Sequence, residues 1–339
     1  MSARLPAAAA PVLVAPDSYK GTFSAADVAA ALGRGLLAGG LDAEELPVAD
    51  GGDGTLDVLV GALGGELRSA TVSDPLGRSV KAVWALLPDA RTAVVEMARA
   101  SGLALLAAAE REAWAASSRG TGELVIAAAE AGARRVVVTV GGSASTDGGA
   151  GALAALTEAR VDPALELVLV CDVRTAWKDA ARVFAPQKGA DAATVERLEE
   201  RLDERAARAP RDPRGVPMTG AGGGLAGGLW AHRGARLVPG AAYVLDAIGF
   251  EGKMRAARFV VTGEGRLDAQ TLAGKAAGEV ATRCRQAGVG CHAVVGESRL
   301  SAFEARLLDL ASVTEAQTLA HVEAAGRELA TATEAALRG

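Results

Sequence analysis

Aromatic residues, cysteines and histidines are scarce in this sequence. Phe, Trp and Tyr make up 3% of its 339 residues, so Ala, Val and Leu must supply most of the core. The three cysteines, Cys171, Cys284 and Cys291, include no CxxC pair, which is typical of reduced thiols in a cytosolic protein. The three histidines lack zinc-ligand spacing. A disulfide framework and a structural zinc site are therefore not expected.

Long apolar runs and an excess of positive charge are also missing. No apolar run reaches the length of a membrane span, and the net charge of −5 argues against a nucleic-acid-binding surface. A cleaved signal peptide is not expected, because the apolar stretch within residues 1–11 runs directly into a strand pattern. Half of the residues are apolar, enough for a sizeable core. We expect a cytoplasmic monomer or homodimer that binds neither nucleic acid nor a membrane.

The familiar nucleotide-binding motifs are absent. Gly274-Lys275 is followed by Ala276 and has no matching upstream glycine, so a P-loop NTPase is not expected. One GxGxxG match, at Gly222, Gly224 and Gly227, lies in a glycine-saturated run and does not follow an apolar strand. This match is the one feature that favours a nicotinamide-dependent dehydrogenase.

Short β-rich runs alternate with helix-length amphipathic runs along the chain. Residues 12–15 form a strand pattern, and Ser24 with Asp27 forms a capping box before a helix. The last third repeats the strand–loop–helix order, whereas residues 80–97 read as a β-hairpin. These patterns predict two α/β domains. They are a Rossmann-like doubly wound parallel sheet built from both chain ends, residues 1–72 and 241–339, and an inserted α/β domain containing a β-hairpin, residues 73–240.

Many predicted strands end in loops that combine glycine with a carboxylate. Ligands of open α/β sheets bind outside the carboxyl ends of the strands. Glycine lets backbone N–H groups approach a phosphate, and Mg²⁺ allows carboxylates to stand beside it. The loops therefore predict a metal–nucleotide or metal–phosphate site. Their acidic residues are Asp50, Asp53, Asp147, Asp172, Glu264 and Asp268.

Basic residues accompany these loops. A substrate carboxylate and a transferring phosphoryl group both need positive partners. Lys20 and Arg266 lie within glycine loops at strand ends and are the leading candidates for that role. Lys188 and Lys275 are the others.

Eight sequence blocks, in this order and over nearly the whole chain, resemble the bacterial glycerate kinases of the type I family. The blocks are Val14–Gly21, Ala49–Thr55, Asp74–Gly77, Glu96–Leu103, Gly120–Leu124, Gly141–Gly151, Pro186–Ala190 and Thr262–Lys275. The resemblance implies ATP-dependent phosphorylation of D-glycerate, usually at the 2-hydroxyl to give 2-phosphoglycerate, with Mg²⁺. It also implies two α/β domains with the active site in the cleft between them.

Roles for individual residues follow as hypotheses. Asp172 and Asp268 are the candidate Mg²⁺ ligands. Lys20 and Arg266 are expected to bind the glycerate carboxylate or the transferred phosphoryl group, and Asp17 or Asp268 to accept the hydroxyl proton. The candidate substrate- and nucleotide-binding residues are Ser18, Asp50, Gly51, Gly52, Asp53, Gly141, Gly142, Ser143, Asp147, Lys188, Glu264 and Lys275.

Two stretches depart from the family's pattern. After Gly151 the family carries some tens of residues more before the strand that ends at Cys171-Asp172-Val173. Residues 174–179 stand where the family usually has an Asn-Pro-Leu turn. Three alternatives stay open: a trimmed active enzyme, a kinase for another small hydroxy acid, and a catalytically inactive homologue that binds metabolites.

Overall fold

The computed structural model describes residues 10–338. The expectation about a signal peptide falls mainly on residues 1–9, which lie outside the described residues. The strands are β1 (Val12–Pro16), β2 (Ala43–Glu45), β3 (Glu66–Ser73), β4 (Ser79–Leu86), β5 (Thr92–Glu96), β6 (Arg135–Thr139), β7 (Glu166–Cys171), β8 (Arg236–Pro239), β9 (Val260–Gly263), β10 (Arg266–Leu267), β11 (Cys291–Val295), β12 (Glu297–Ser298) and β13 (Ser312–Glu315).

The α-helices alternate with these strands. They are α1 (Ala25–Ala38), α2 (Thr55–Leu63), α3 (Ala98–Ser101), α4 (Arg119–Glu130), α5 (Ala150–Glu158), α6 (Ala180–Phe184), α7 (Ala192–Arg208), α8 (Leu225–Arg233), α9 (Gly240–Ala247), α10 (Phe250–Ala256), α11 (Ala269–Leu272), α12 (Ala276–Ala287), α13 (Ala302–Leu308) and α14 (Leu319–Arg338).

Two compact units divide the chain. The terminal unit comprises the residues up to Asp50 and from Ala241 onward, and the inserted unit comprises residues 51–240. The first boundary predicted from the sequence is at residue 72. The structure assigns residues 51–72 to the inserted unit, because β3 pairs with β4 along its whole length and Glu96 accepts the Leu56 N–H at the start of α2.

The terminal unit contains a five-stranded sheet in the order β2-β1-β9-β11-β13, and all its strands are parallel. Every residue of β1 is buried, as a strand covered on both faces requires. The strand order reverses between β1 and β9, the place where doubly wound sheets bind their ligands. The predicted α/β class, with a parallel sheet built from both chain ends, is confirmed.

Helices α1 and α14 pack together on this sheet. The predicted capping box is present, because Ser24 and Asp27 bond reciprocally at the start of α1. A Cβ at Gly35 would overlap the backbone carbonyl of Glu323 in α14, so glycine permits this close approach. Apolar residues of both helices join those of β1, β9 and β11 in one core.

The inserted unit contains a six-stranded mixed sheet in the order β3-β4-β5-β6-β7-β8. β4 and β5 form the predicted antiparallel hairpin, and β3 extends it on the other side of β4. β5 through β8 are parallel, so their carboxyl ends meet at one edge. Side chains of these strands pack against α4, α5 and α8 in a second core.

The shortened segment between α5 and β7 is a tight turn. Arg160 adopts a φ of 52° after the helix, and the Leu165 N–H donates to the Asp162 carbonyl at 3.1 Å. The connection is therefore closed without interrupting the sheet.

Within residues 10–338, no helix combines the length and the apolar character needed to cross a bilayer. Cys171, Cys284 and Cys291 are buried and carry free thiols.

Candidate active site

A cleft of about 530 Å³ opens at the carboxyl ends of β1 and β9 in the terminal unit. Its volume suits a small-molecule ligand, and we call it the charged cleft. The predicted site residues that line it are Asp17, Ser18, Lys20, Glu264, Arg266, Asp268 and Lys275. Residues from both halves of the sequence thus meet at the reversal of strand order.

Asp17 directly follows β1 and is only 4% exposed. Its Oδ1 accepts the Ser18 N–H at 2.6 Å. Burial, together with the nearby Asp50 carboxylate, raises the pKa of the Asp17 carboxyl to about 8 despite the opposing charge of Lys20. A carboxyl group with a pKa near the working pH is suited to proton transfer.

Lys20 and Asp50 form an ion pair beside Asp17. The Lys20 Nζ lies 3.4 Å from the Asp50 Oδ2, and the lysine side chain is 53% exposed whereas that of Asp50 is buried. Lys20 lines the charged cleft, whereas the buried Asp50 is not among its lining residues. The pair therefore presents positive charge to a ligand.

Glu264 is a second buried carboxyl group of this cleft. Its Oε1 accepts the Thr271 hydroxyl at 2.6 Å, and its Oε2 lies 3.8 Å from the Lys275 Nζ. Burial raises the pKa of Glu264 to about 7. Glu264 and Asp17 are thus both poised between their charged and neutral forms near neutral pH.

Asp268 and Arg266 lie on the more exposed side of the charged cleft. Asp268 is the N-cap of α11, and its Oδ1 accepts the Gln270 N–H at 2.9 Å. The Arg266 Nε lies 3.4 Å from the Glu297 Oε2, since β10 pairs with β12. Glu297 was not predicted as a site residue, because it belongs to no recognisable motif.

A second cleft, of about 390 Å³, lies in the inserted unit where β6 and β7 end, and we call it the glycine cleft. The predicted residues that line it are Asp53, Gly141, Gly142, Ser143 and Asp172. Asp50 and Asp53 are close in the sequence but belong to different units, because the chain passes from the terminal unit to the inserted unit after Asp50.

Close backbone packing explains the Gly141-Gly142-Ser143 turn. A Cβ at Gly141 would stand 2.5 Å from the Gly52 Cα, and the Gly141 N–H donates to the Gly51 carbonyl at 3.2 Å. Gly142 has a φ of 69°. In the part of the chain that the structure describes, the N–H groups of Gly142 and Ser143 meet no hydrogen-bond acceptor. Two N–H groups without a partner in one turn are suited to binding an anion.

Lys188 holds this turn from behind, and neither Lys188 nor Asp147 is among the residues that line the cleft. Lys188 is 1% exposed, and its Nζ donates to the Ser143 Oγ at 2.9 Å and to the Ser145 carbonyl at 2.6 Å. The Asp147 carboxylate accepts hydrogen bonds from Ser118 and from the N–H groups of Gly149 and Gly151. Lys188 is therefore placed to position the glycine turn, whereas Asp147 fixes the loop that precedes α5.

Replacing Lys188 by Met should change how stability depends on pH. Burial lowers the pKa of Lys188 from 10.5 to about 7. Between those two values the unfolded chain binds more protons than the folded protein, so the wild type gains stability as pH rises. The melting temperature of the wild type minus that of Lys188→Met should therefore increase from pH 6 to pH 9. Scanning fluorimetry of both proteins measures this difference in melting temperature. A difference that stays constant with pH would contradict the prediction that the buried Lys188 titrates in this range.

The predicted metal ligands lie in different units, Asp172 in the glycine cleft and Asp268 in the charged cleft. Among residues 10–338, no three His, Cys, Asp or Glu side chains are grouped to hold a metal ion. Asp53 and Asp172 border one turn, because a Cβ at Gly142 would overlap the first carboxylate and one at Gly141 would lie 3.0 Å from the second. Two carboxylates fit a Mg²⁺ ion that is also held by phosphate oxygens.

Several residues of the glycine cleft were not predicted from the sequence. Gly222 and Gly223 line it, and both adopt a φ of 64° just before α8. In the sequence their glycine run stands out only as the GxGxxG match of Gly222, Gly224 and Gly227. Arg111 and Gln187 line it as well; Gln187 lies within a quoted family block, whereas no motif marked Arg111.

The altered turn at residues 174–179 fills the space behind the glycine loops. Trp177 is buried there, and its Nε1 donates to the Leu202 carbonyl at 2.9 Å. A Cβ at Gly148 would come within 2.7 Å of the indole ring, and one at Gly227 within 2.5 Å. Trp177, within the stretch that departs from the family's pattern, therefore packs against the glycine-rich segments that contain Gly148 and Gly227.

Comparisons with known proteins agree with these motifs. The model of the glycerate kinase family matches residues 12–164 and 157–338. The glycerate 2-kinase of Escherichia coli (strain K12) is 37% identical over 301 residues, 78% of this chain and 79% of that protein. The glycerate kinase of Bacillus subtilis (strain 168) is 38% identical over 304 residues, again 78% and 79%.

A solved structure extends the agreement to the fold. The crystal structure of a protein assigned as glycerate kinase 2 from Salmonella typhimurium LT2 is 32% identical to this chain, with a TM-score of 0.82. The match covers 98% of this chain and 100% of that chain. The resemblance found in the sequence is confirmed: the chain belongs to the glycerate kinase family and is a phosphotransferase enzyme.

Proposed function

We propose that this protein transfers the γ-phosphoryl group of ATP to the 2-hydroxyl of D-glycerate, giving 2-phosphoglycerate and ADP. Relatives named glycerate 2-kinase and glycerate kinase support the substrate. The observation that carries the proposal is the charged cleft, where the buried Asp17 carboxyl lies among the cations Lys20, Arg266 and Lys275. Phosphorylation of a small hydroxy acid needs a group that accepts the hydroxyl proton and positive charge that binds the carboxylate and the phosphoryl group.

The charged cleft is proposed to hold the acceptor. Lys20 and Arg266 bind the glycerate carboxylate or the arriving phosphoryl group. The deprotonated form of Asp17 accepts the hydroxyl proton while the hydroxyl oxygen bonds to the γ-phosphorus and the bond to the ADP oxygen breaks. Asp17 suits this role better than Asp268, whose carboxylate caps α11.

The glycine cleft is proposed to hold the triphosphate. The N–H groups of Gly142 and Ser143 bind phosphate oxygens, and Lys188 fixes the Ser143 hydroxyl from behind. Asp53 and Asp172 are the residues that would hold Mg²⁺ beside the phosphates. Mg²⁺, when bound, neutralises the negative charge that otherwise opposes phosphoryl transfer. A cytoplasmic location and a monomeric or homodimeric state stay predictions of the sequence.

Product identification tests this proposal. The purified protein is incubated with D-glycerate and MgATP, and the product is assigned by ³¹P NMR. The expected result is 2-phosphoglycerate, whereas 3-phosphoglycerate would overturn the assigned hydroxyl. A panel of small hydroxy acids, read by ADP release, should show the highest kcat/KM for glycerate. A better acceptor in that panel would replace glycerate as the substrate, and ATP binding without turnover would indicate an inactive homologue.

A further inference from the structure

The glycine cleft combines two carboxylates with little positive charge. Asp53 and Asp172 line it, and the predicted cation of this unit, Lys188, is sealed beneath the turn with its Nζ on Ser143. Among the described residues that line the cleft, Arg111 alone is positively charged. A triphosphate bound beside two carboxylates needs a cationic partner from the protein.

The Arg111 side chain is exposed, and within residues 10–338 its guanidinium group makes no ion pair or hydrogen bond. The acidic residues on either side of it are engaged elsewhere. Glu110 pairs with Arg78 at 2.6 Å, and the Glu112 carboxylate accepts the Trp114 N–H at 3.2 Å. The guanidinium group is thus available to a ligand of the cleft that it lines.

The backbone that carries Arg111 is anchored. A Cβ at Gly189 would overlap the Arg111 carbonyl, so this segment packs directly on the residue after Lys188. Three residues further on, the Trp114 ring lies 4.1 Å from the Arg197 guanidinium carbon and 4.3 Å from that of Arg201, both on α7. Such cation–π contacts hold the segment to the helix. The Arg111 side chain therefore extends from a backbone segment that is held in place by packing.

We propose that Arg111 is a nucleotide-binding residue whose guanidinium group binds the polyphosphate of ATP in the glycine cleft. This inference rests on the proposed function, which assigns the nucleotide to that cleft. The planar guanidinium group bonds two phosphate oxygens at once through a rigid fork of donors, a geometry that a lysine ammonium does not have. Arg111 then supplies the positive charge that the sequence pattern led us to expect from Lys188.

Binding and turnover of Arg111→Gln test the assignment. Removing a charged hydrogen-bonding partner should raise the Kd for MgATP by about tenfold to a hundredfold, measured by calorimetry. The KM for glycerate should stay within about twofold, because that site is assigned to other residues. Arg111→Lys should recover part of the affinity. The matched control is Arg91→Gln, an exposed arginine between β4 and β5 that lines neither cleft; it should bind MgATP as the wild type does.

The two readouts separate this inference from the proposed function. An unchanged Kd in a folded Arg111→Gln protein, with wild-type melting temperature, would overturn the role of Arg111 while glycerate phosphorylation continues. Arg111-dependent MgATP binding without any phosphoglycerate would overturn the proposed function and support the role of Arg111. A wild type that binds no MgATP would overturn the Arg111 assignment directly. If Arg111→Gln does not fold, Arg111→Lys decides: affinity equal to the wild type overturns the guanidinium contact, and a weakened affinity supports it.

Discussion

Replacing Asp17 by Asn should lower kcat for glycerate phosphorylation by at least about a hundredfold. Asn keeps the size of the side chain and the contact with the Ser18 N–H, but it cannot accept the hydroxyl proton. The KM for MgATP should change little, because Asp17 lies in the charged cleft and the nucleotide is assigned to the glycine cleft. An ADP-release assay with varied glycerate and varied MgATP measures both effects.

The same substitution should stabilise the protein, and increasingly so at alkaline pH. The pKa of Asp17 is raised from 3.8 to about 8 in the folded state. Between these values the folded protein keeps a proton that the unfolded chain has lost, so wild-type stability falls as pH rises. Asn has no proton to lose. The melting temperature of Asp17→Asn minus that of the wild type should therefore grow from pH 5 to pH 9.

Asp42→Asn is the matched control, since Asp42 is an exposed aspartate of the same unit that does not line the charged cleft. It should leave kcat for glycerate phosphorylation unchanged. The wild-type kcat/KM for glycerate should rise with pH and level off above about pH 8, as the free enzyme loses the Asp17 proton. Near-normal turnover in Asp17→Asn would transfer the role of base to Glu264 or Asp268.

Local signals in the sequence predicted much of the fold. The Ser24–Asp27 capping box fixed the start of α1, and buried apolar runs located β1 and β6. β3 was not predicted, because half of its residues are exposed, one is buried, and the strand shows no apolar run. Its place depends on pairing with β4, a long-range contact that the local pattern does not report. For the same reason the first domain boundary was placed near residue 72.

The candidate site was predictable where a charged residue directly follows a strand. Asp17 and Glu264 fall in that group, and both line the charged cleft. The roles of buried groups were less accessible, because a sequence does not tell a lysine in a cleft from one sealed beneath it, as Lys188 is. Arg111 gave no signal at all, since it stands in an ordinary polar stretch and reaches its cleft only through tertiary packing.

Gly142→Ala should lower kcat/KM for MgATP by about a hundredfold. A Cβ at this position would overlap the Asp53 carboxylate and lie 3.1 Å from the Ala98 Cβ. The turn must then shift, and both the exposed N–H groups and a proposed Mg²⁺ ligand move with it. A displacement of about 1 Å of the groups that position a substrate can lower the rate by about a hundredfold. Steady-state kinetics with varied MgATP give the loss, and calorimetry shows how much of it is binding.

Backbone strain alone would also destabilise a variant with alanine at this position, because Gly142 has a φ of 69°. Gly234 separates the two effects: its φ is 67°, and nothing lies within 4 Å of the place where its Cβ would stand. Gly234→Ala should therefore carry the same strain, about 1 kcal/mol, in the same unit, and it should keep kcat/KM for MgATP within about twofold. Equal losses in the two variants would mean that strain, and not the geometry of the phosphate-binding turn, limits activity. A loss confined to Gly142→Ala would mean that nucleotide binding depends on the close fit between this turn and Asp53.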